Sequence, residues 1–286
     1  MPSEIQKNIT VLCNPIAGVG KAISLSERIV AELSFRKISF SLFKESWPLS
    51  FEGYTDIWII GGDGTMNYFV NHYPEIQIPL VIFKGGSGND FHWMLYGDID
   101  FEEQLELVLH TEPKPVDLGK CNERYFINGV GIGFEGDVVK ALTGKKKRAG
   151  KSSFMSVILK KIFTYRSAFY KVLIDGKINA AKKYLIVDIS NGKRAGGGFL
   201  IAPVAKTDDG LLDVILIDAL HPLKRLRWLP VMEKGKHLDL SFVHHINAKH
   251  ISIECDKTIE FHLDGEYHFV DKVEIEILPG KLFFRY

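Results

Sequence analysis

The sequence is poor in cysteine, with only Cys13, Cys121 and Cys255 among its 286 residues. They are far apart, odd in number, and none belongs to a Cys-x-x-Cys pair. That argues against a disulfide framework or a zinc site and fits a reducing compartment. Net charge is scarce too, only +1 at pH 7, which speaks against a protein that coats nucleic acid. No apolar run approaches the roughly 18 residues of a membrane span. The opening residues 1–7 lack the apolar core of a secretory signal. There is no tandem repeat and no low-complexity linker. These absences lead us to expect a cytoplasmic protein that meets a membrane, if at all, from its inner face.

What is present is apolar sequence in a definite order. Hydrophobic residues make up 46% of the chain, enough for a real core and for two domains. Residues 9–12 form a short apolar strand that runs into the turn Asn14-Pro15-Ile16-Ala17-Gly18-Val19-Gly20. Leu25, Ile29, Val30 and Leu33 then recur at helical spacing. Residues 57–60 suit a buried parallel strand and end in Gly61-Gly62-Asp63-Gly64-Thr65, with a helix expected from 65 to 72. Residues 79–83 repeat the design and lead into Gly85-Gly86-Ser87-Gly88-Asn89-Asp90. Apolar strands ending in glycine turns predict an open α/β sheet with its site at the strand carboxyl ends.

Beyond residue 118 short strand patterns take over, at 125–130, 169–174, 184–189, 211–217, 251–254 and 259–263. Asp175-Gly176 and Asp264-Gly265 read as hairpin turns. This part is expected to be an antiparallel β-sandwich, interrupted by helices near 150–166 and 222–234. The predicted boundaries are 1–118 for the α/β domain and 119–278 for the β-rich domain.

The glycine turns carry the chemistry. Glycine lets backbone approach an anion, and amides at the following helix N-terminus donate to phosphate. An acidic Asp63 in such a loop would repel phosphate unless a divalent cation lies between them. Asn67 is one short turn further on. The plainer reading is a glycine-rich strand-to-helix turn. Gly20-Lys21 is not a Walker A loop, because Pro15 and Ala22 stand where glycine and Ser or Thr are needed. The dinucleotide Gly-x-Gly-x-x-Gly spacing fails at Ile23.

Taken together, the motifs resemble the diacylglycerol kinase and sphingosine kinase family of lipid kinases, in its single-chain bacterial form. Asn14, Pro15, Gly18 and Gly20 match its Asn-Pro-x-x-Gly-x-Gly. Gly61, Gly62, Asp63, Gly64, Thr65 and Asn67 match its Gly-Gly-Asp-Gly-Thr-x-Asn. Gly86, Ser87, Gly88, Asn89, Asp90 and Phe91 are similar to its Gly-Thr-Gly-Asn-Asp-Phe. Gly196-Gly197-Gly198-Phe199 through Pro203, Asp209-Gly210-Leu211-Leu212-Asp213 and Asp264-Gly265-Glu266 match later patterns. The resemblance implies ATP in a cleft between two domains, Mg²⁺, and phosphoryl transfer to a lipid hydroxyl. It also implies that residues 279–286 return to the first domain. Asp264 is then the expected general base, Glu266 its support or a metal holder, and Asp63 and Asp209 the expected metal ligands. For Asp264 the rival reading is a hairpin turn, and for Asp209 an acidic turn. The chain departs from the family pattern at Tyr68, at Phe83-Lys84 and at His92-Trp93. These changes are expected around the acceptor, with Lys84 as an added phosphate-facing cation.

Ten Lys or Arg and no Asp or Glu lie between Lys140 and Leu173. They include the cluster 145–148. Phe154, Ile158, Ile162 and Tyr165 form one helical face there. Segment 223–236 is similar, with Lys224, Arg225 and Arg227 beside Leu226, Trp228, Leu229 and Met232. Such segments, 140–173 and 223–236, are expected either to touch an anionic membrane or to pack on the core with a solvated basic face. An NAD kinase-like enzyme and a nucleotide-binding regulator without turnover stay open as alternatives, and so does an oligomer.

Overall fold

The computed structural model describes residues 7–143 and 151–286. The basic cluster 145–148 lies outside the described residues. The chain forms two compact units, Met1–Val116 with Gly280–Tyr286, and Asp117–Pro279.

In the first unit, β1 (Asn8–Cys13), β2 (Ser39–Phe43), β3 (Asp56–Gly61) and β4 (Leu80–Lys84) run parallel in the order β2-β1-β3-β4. Every residue of β3 is buried, as a parallel strand covered on both faces requires. Helix α1 (Lys21–Phe35) turns Ala22, Ile29 and Leu33 into the core, while Trp58 of β3 packs on Phe83 of β4. Helices α2 (Asp63–His72), α3 (Asp90–Tyr96) and α4 (Phe101–His110) follow. The register sets Cys13 beside Ile60 and Gly61 beside Lys84, so three strands end along one edge. The last residues close this unit. Phe284 pairs with Leu80 and packs on Phe91, and Arg285 forms an ion pair with buried Asp56 and donates to the Thr111 carbonyl. Removing one partner of such a buried pair typically costs about 3–5 kcal/mol.

The second unit contains β5 (Pro113–Cys121) from Asp117 on, then β6 (Arg124–Phe126), β7 (Gly129–Gly133), α5 (Phe134–Leu142), α6 (Lys151–Thr164), β8 (Ala168–Ile174), β9 (Lys177–Ser190), β10 (Leu212–Asp218), α7 (Pro222–Glu233), β11 (Val243–Ala248), β12 (His250–Leu263) and most of β13 (Glu266–Arg285). Strand β8 bridges the first halves of β9 and β12, and β7 bridges their second halves. Two antiparallel layers result, with Val130, Val172, Val187, Val214, Ile253 and Val273 filling the space between them. Both Asp-Gly hairpins have positive φ at both turn residues, the geometry that their dipeptides favour. The expected strand at 125–130 is instead β6 and β7, split at Ile127-Asn128. The expected strands at 251–254 and 259–263 are one strand, β12, with a register shift between Glu254 and Ile259.

Helices α5, α6 and α7 cover the outer face of the β7–β9–β10 layer. The stripe Phe154, Ile158, Ile162 and Tyr165 faces this core, so it is not a membrane face. Arg225 is internal as well. Its guanidinium donates to the carbonyls of Leu220, Ile162 and Tyr165, joining α7 to the end of α6.

A polar patch lies under α5. Gly131 of β7 pairs with Asp188 of β9 and with His262 of β12. A side chain at 131 would strike the His262 ring and the Glu135 carboxylate, so glycine is needed to admit both. Ser190 donates to Asp188 at 2.6 Å, and His245 lies 2.5 Å from Asp213. One Glu135 oxygen is sealed from solvent without a hydrogen-bond partner among the described residues. Burial pushes Asp188 up to about 7 and Glu135 well above the usual carboxylate range. Burial also lowers His262 to about 4, so no imidazolium forms there to neutralise the pair. A raised carboxyl holds a proton in the folded state that the unfolded chain releases from about pH 4 upward. Its contribution to stability is full below that pH and is lost as pH rises through about 7. Urea unfolding should therefore show stability falling from about pH 4 to pH 7. Asp188→Asn should flatten that slope, and an unchanged slope in the variant would exclude Asp188 as its origin.

Candidate active site

Three turns that are distant in sequence meet at the carboxyl edge of β1, β3 and β4. Asn14 follows β1, and its amide donates to the Thr65 hydroxyl at 2.9 Å while its own oxygen accepts from the Ile16 amide. Gly18 sits at φ 57 directly against the Gly85 carbonyl, where no side chain fits. Val19, exposed and β-branched, is held at φ 57 as well, a strained conformation at the site's rim. Gly20 at φ 91 opens α1.

The loops after β3 and β4 touch backbone to backbone. A side chain at Gly62 would come within 2.9 Å of the Gly86 Cα, and one at Gly85 within 2.9 Å of the Gly61 nitrogen. Asp63 then locks them. Its two carboxylate oxygens accept from the backbone amides of Asp90 (3.1 Å) and Phe91 (2.8 Å). The charge that on sequence alone demands a metal is thus already met by the first amides of α3. Asn89, at φ 57, closes its own loop, accepting from Gly86 N at 2.9 Å and donating to Gly86 O at 3.0 Å. Asn67 and Asp90 are buried, and Asn67 accepts from the Asn71 amide of the next turn. What stays open at this edge is Gly64 at the N-terminus of α2, with Ser87 and Gly88, all exposed.

The family departures fall in unexpected places. His92 is a core residue, its ring 3.1 Å from the Gln104 oxygen and its basicity lowered by burial. Trp93 donates to Asp98. The Lys84 ammonium donates to the Ile99 carbonyl at 2.6 Å, which accounts for this cation without phosphate. Tyr68, by contrast, is 57% exposed and lines a cavity of about 490 Å³. Cys13, Asn14, Lys44, Trp47, Gly64 and Thr65 share its wall. Lys44 and Trp47 belong to no motif, but their position just after β2, at the carboxyl edge of a parallel strand, is the signal that marks them.

In the second unit, Asp264 sits at φ 49 in its hairpin turn. Its carboxylate accepts from the amides of Ile127 (2.8 Å), Asn128 (2.8 Å) and Gly129 (3.0 Å). This clamp splits β6 from β7. Both Asp264 oxygens are engaged in it, so the expected general base has a structural task. Glu266, two residues on, is exposed. Asp209 is an exposed turn residue whose oxygen accepts from Leu211 N at 3.1 Å. Beside it Asp117, buried and overlooked in the sequence, accepts from Gly210 N at 2.7 Å. Among the described residues no three His, Cys, Asp or Glu side chains gather as a metal cage.

The comparisons with known proteins agree on one family. Residues 8–121 match the diacylglycerol kinase catalytic domain, and residues 128–284 match the YegS C-terminal NAD kinase β-sandwich-like domain. A protein named "Diacylglycerol kinase" from Mycobacterium tuberculosis is 26% identical over 96% of this chain and 93% of its own length. One named "Probable lipid kinase YegS-like" from Chromohalobacter salexigens is 30% identical over 78% of this chain and 73% of its own. The crystal structure of a diacylglycerol kinase from Bacillus anthracis shares the fold, with a TM-score of 0.73 at 23% identity over 98% of this chain and 97% of that one. The chain therefore belongs to the lipid kinase family that joins a diacylglycerol kinase catalytic domain to a YegS-type β-sandwich, and it is an ATP-dependent kinase.

Proposed function

We propose that this kinase transfers the γ-phosphoryl group of ATP to a hydroxyl of diacylglycerol or a related lipid. The observation that carries this reading is the meeting of the two glycine loops beside the N-terminus of α2, with Gly64, Ser87 and Gly88 exposed. Backbone amides and the helix dipole suit phosphate there. Mg²⁺ on a nucleotide is usually held by one or two carboxylates with the phosphates, not by a protein cage. A carboxylate oxygen can accept an amide with one lone pair and meet a cation with the other, so Asp63 fits that role. Bound Mg²⁺ would neutralise charge on the phosphates.

Glu266 is the carboxylate we assign to the acceptor. It takes the hydroxyl proton as the oxygen attacks the γ-phosphorus and ADP departs. Asp264 is a positioning residue that fixes the hairpin carrying Glu266. The acceptor is reached at an anionic bilayer. No helix among the described residues is long and apolar enough to cross a membrane. Leu159 and Phe163 of α6 and Leu223 and Leu226 of α7 are nonetheless exposed, with exposed Lys160, Lys224 and Arg227 among them. Basic side chains over exposed apolar ones suit such a surface.

Incubation with a lipid extract and γ-labelled ATP should place label on a lipid. Label found only in free phosphate, or on added NAD, would overturn the acceptor assignment. Asp63→Ala should abolish transfer and also lower the unfolding free energy by about 1–3 kcal/mol, since two backbone amides lose their acceptor. Full activity in a folded variant would remove Asp63 from the site. Glu266→Gln should lower kcat by about 10²-fold or more with unchanged melting temperature, whereas Asp264→Asn should lower the melting temperature. A fully active Glu266→Gln enzyme would exclude it as the base. Reversing Lys160, Lys224 and Arg227 to Glu should weaken sedimentation with phosphatidylserine vesicles by about a hundredfold or more at low salt, since three attractions of about 1 kcal/mol each are lost. Undiminished sedimentation would place the membrane contact elsewhere.

A further inference from the structure

The cavity beside Gly64 has an uneven wall. Its inner polar groups already serve one another. Asn14 is bonded to Thr65 and Ile16, the Tyr73 hydroxyl donates to the Pro48 carbonyl, and the Cys13 thiol to the Ala22 carbonyl. The remaining polar side chains of the wall are Lys44, Glu45, Ser46 and His72, the last three exposed, together with the indole N–H of half-buried Trp47. Between them stands Tyr68. The His72 ring stacks on it at 13° and 5.4 Å, and Trp47 meets it edge-on at 5.5 Å, yet more than half of its surface stays open. The ring is thus held in place by its neighbours and presents an aromatic surface beside the phosphate loop. A volume of about 490 Å³ is within the range of small-molecule sites.

We infer that this cavity binds the donor's base by stacking on Tyr68, and that the kinase therefore accepts GTP as well as ATP. The inference rests on the donor-site reading above. Every base has a π-face, so stacking contributes about tenfold or more in affinity whichever base is present. Discrimination between adenine and guanine needs hydrogen bonds to their edges. A bond to an exposed side chain only replaces one to water and is worth about tenfold or less. A buried group built to read one base edge would discriminate by about 10⁴-fold. Asn14, Thr65, Tyr73 and Cys13 are engaged elsewhere, and the half-buried donors Lys44 and Trp47 can meet the N7 acceptor that adenine and guanine share, so stacking dominates.

Calorimetry on the full chain with ADP, GDP and inorganic pyrophosphate separates the possibilities. ADP and GDP should bind within about tenfold of each other. Tyr68→Ala should weaken both by about tenfold or more and leave pyrophosphate unchanged, and Tyr68→Phe should restore both. Labelled GTP should also phosphorylate the lipid. A preference for ADP beyond about tenfold, or a Tyr68→Ala protein that binds both nucleotides normally or loses pyrophosphate equally, would overturn the inference. If the wild-type protein binds none of the three, the donor-site reading itself fails. Circular dichroism checks that the variants are folded; Tyr68 is exposed, so the core does not depend on it.

Discussion

The Asp63 carboxylate accepts two backbone amides at the start of α3, and in doing so ties the loop after β3 to the loop after β4. The two loops can be tied only because their glycines let the backbones touch. A methyl group at Gly62 or Gly85 would push them apart, and the edge where phosphate is expected would open. The pairing of Asn14 with Thr65 extends the same restraint to the turn after β1. Three loops become one surface because small residues permit contact and a few polar side chains fix it. The carboxylate is compensated by amides in the folded chain, which eases the electrostatic cost of an acid in a loop proposed to hold phosphate.

The second unit uses the same device. Asp264 gathers three amides from residues 127–129, holds its turn at positive φ and sets where β6 stops and β7 begins. Asp117 does likewise for Gly210. Acidic residues in the motifs thus help to build the loops, while their neighbours Gly64, Ser87, Gly88 and Glu266 stay exposed. The carboxyls of Glu135 and Asp188 contrast with these clamps. Glu135 stands on α5 with one oxygen unpartnered among the described residues, Asp188 lies near it, and burial raises the affinity of both for the proton. Glycine at 131 leaves room for the Glu135 carboxylate and the His262 ring.

The basic helices divide their residues between core and surface. Arg225 is consumed by three carbonyls at the junction of α6 and α7, and the apolar stripe from Phe154 to Tyr165 is consumed by the core. On α6 the exposed Leu159 and Phe163 are different residues from the stripe that periodicity selects, whereas on α7 the exposed Leu226 with Lys224 and Arg227 belongs to the segment that the sequence marks. A helix with apolar residues on two faces gives one face to the core and shows the other to solvent, and spacing alone does not say which is which.

The parallel strands, the glycine turns, the two Asp-Gly hairpins and the helices near 150–166 and 222–234 were legible in the sequence. Each depends on local chemistry: apolar runs, φ preferences and the 3.6-residue period. Which hydrogen-bond partners the motif side chains take was not legible. Asp63 and Asp264 also hold loops together, because backbone amides 27 and 136 positions away in the chain donate to their oxygens. His92 and Lys84 looked available and are engaged, while Trp47 and Tyr68 come together from separate segments to line one cavity. Hydrogen-bond partners distant in sequence are chosen by strand register and loop packing, and those exist only once the chain has folded.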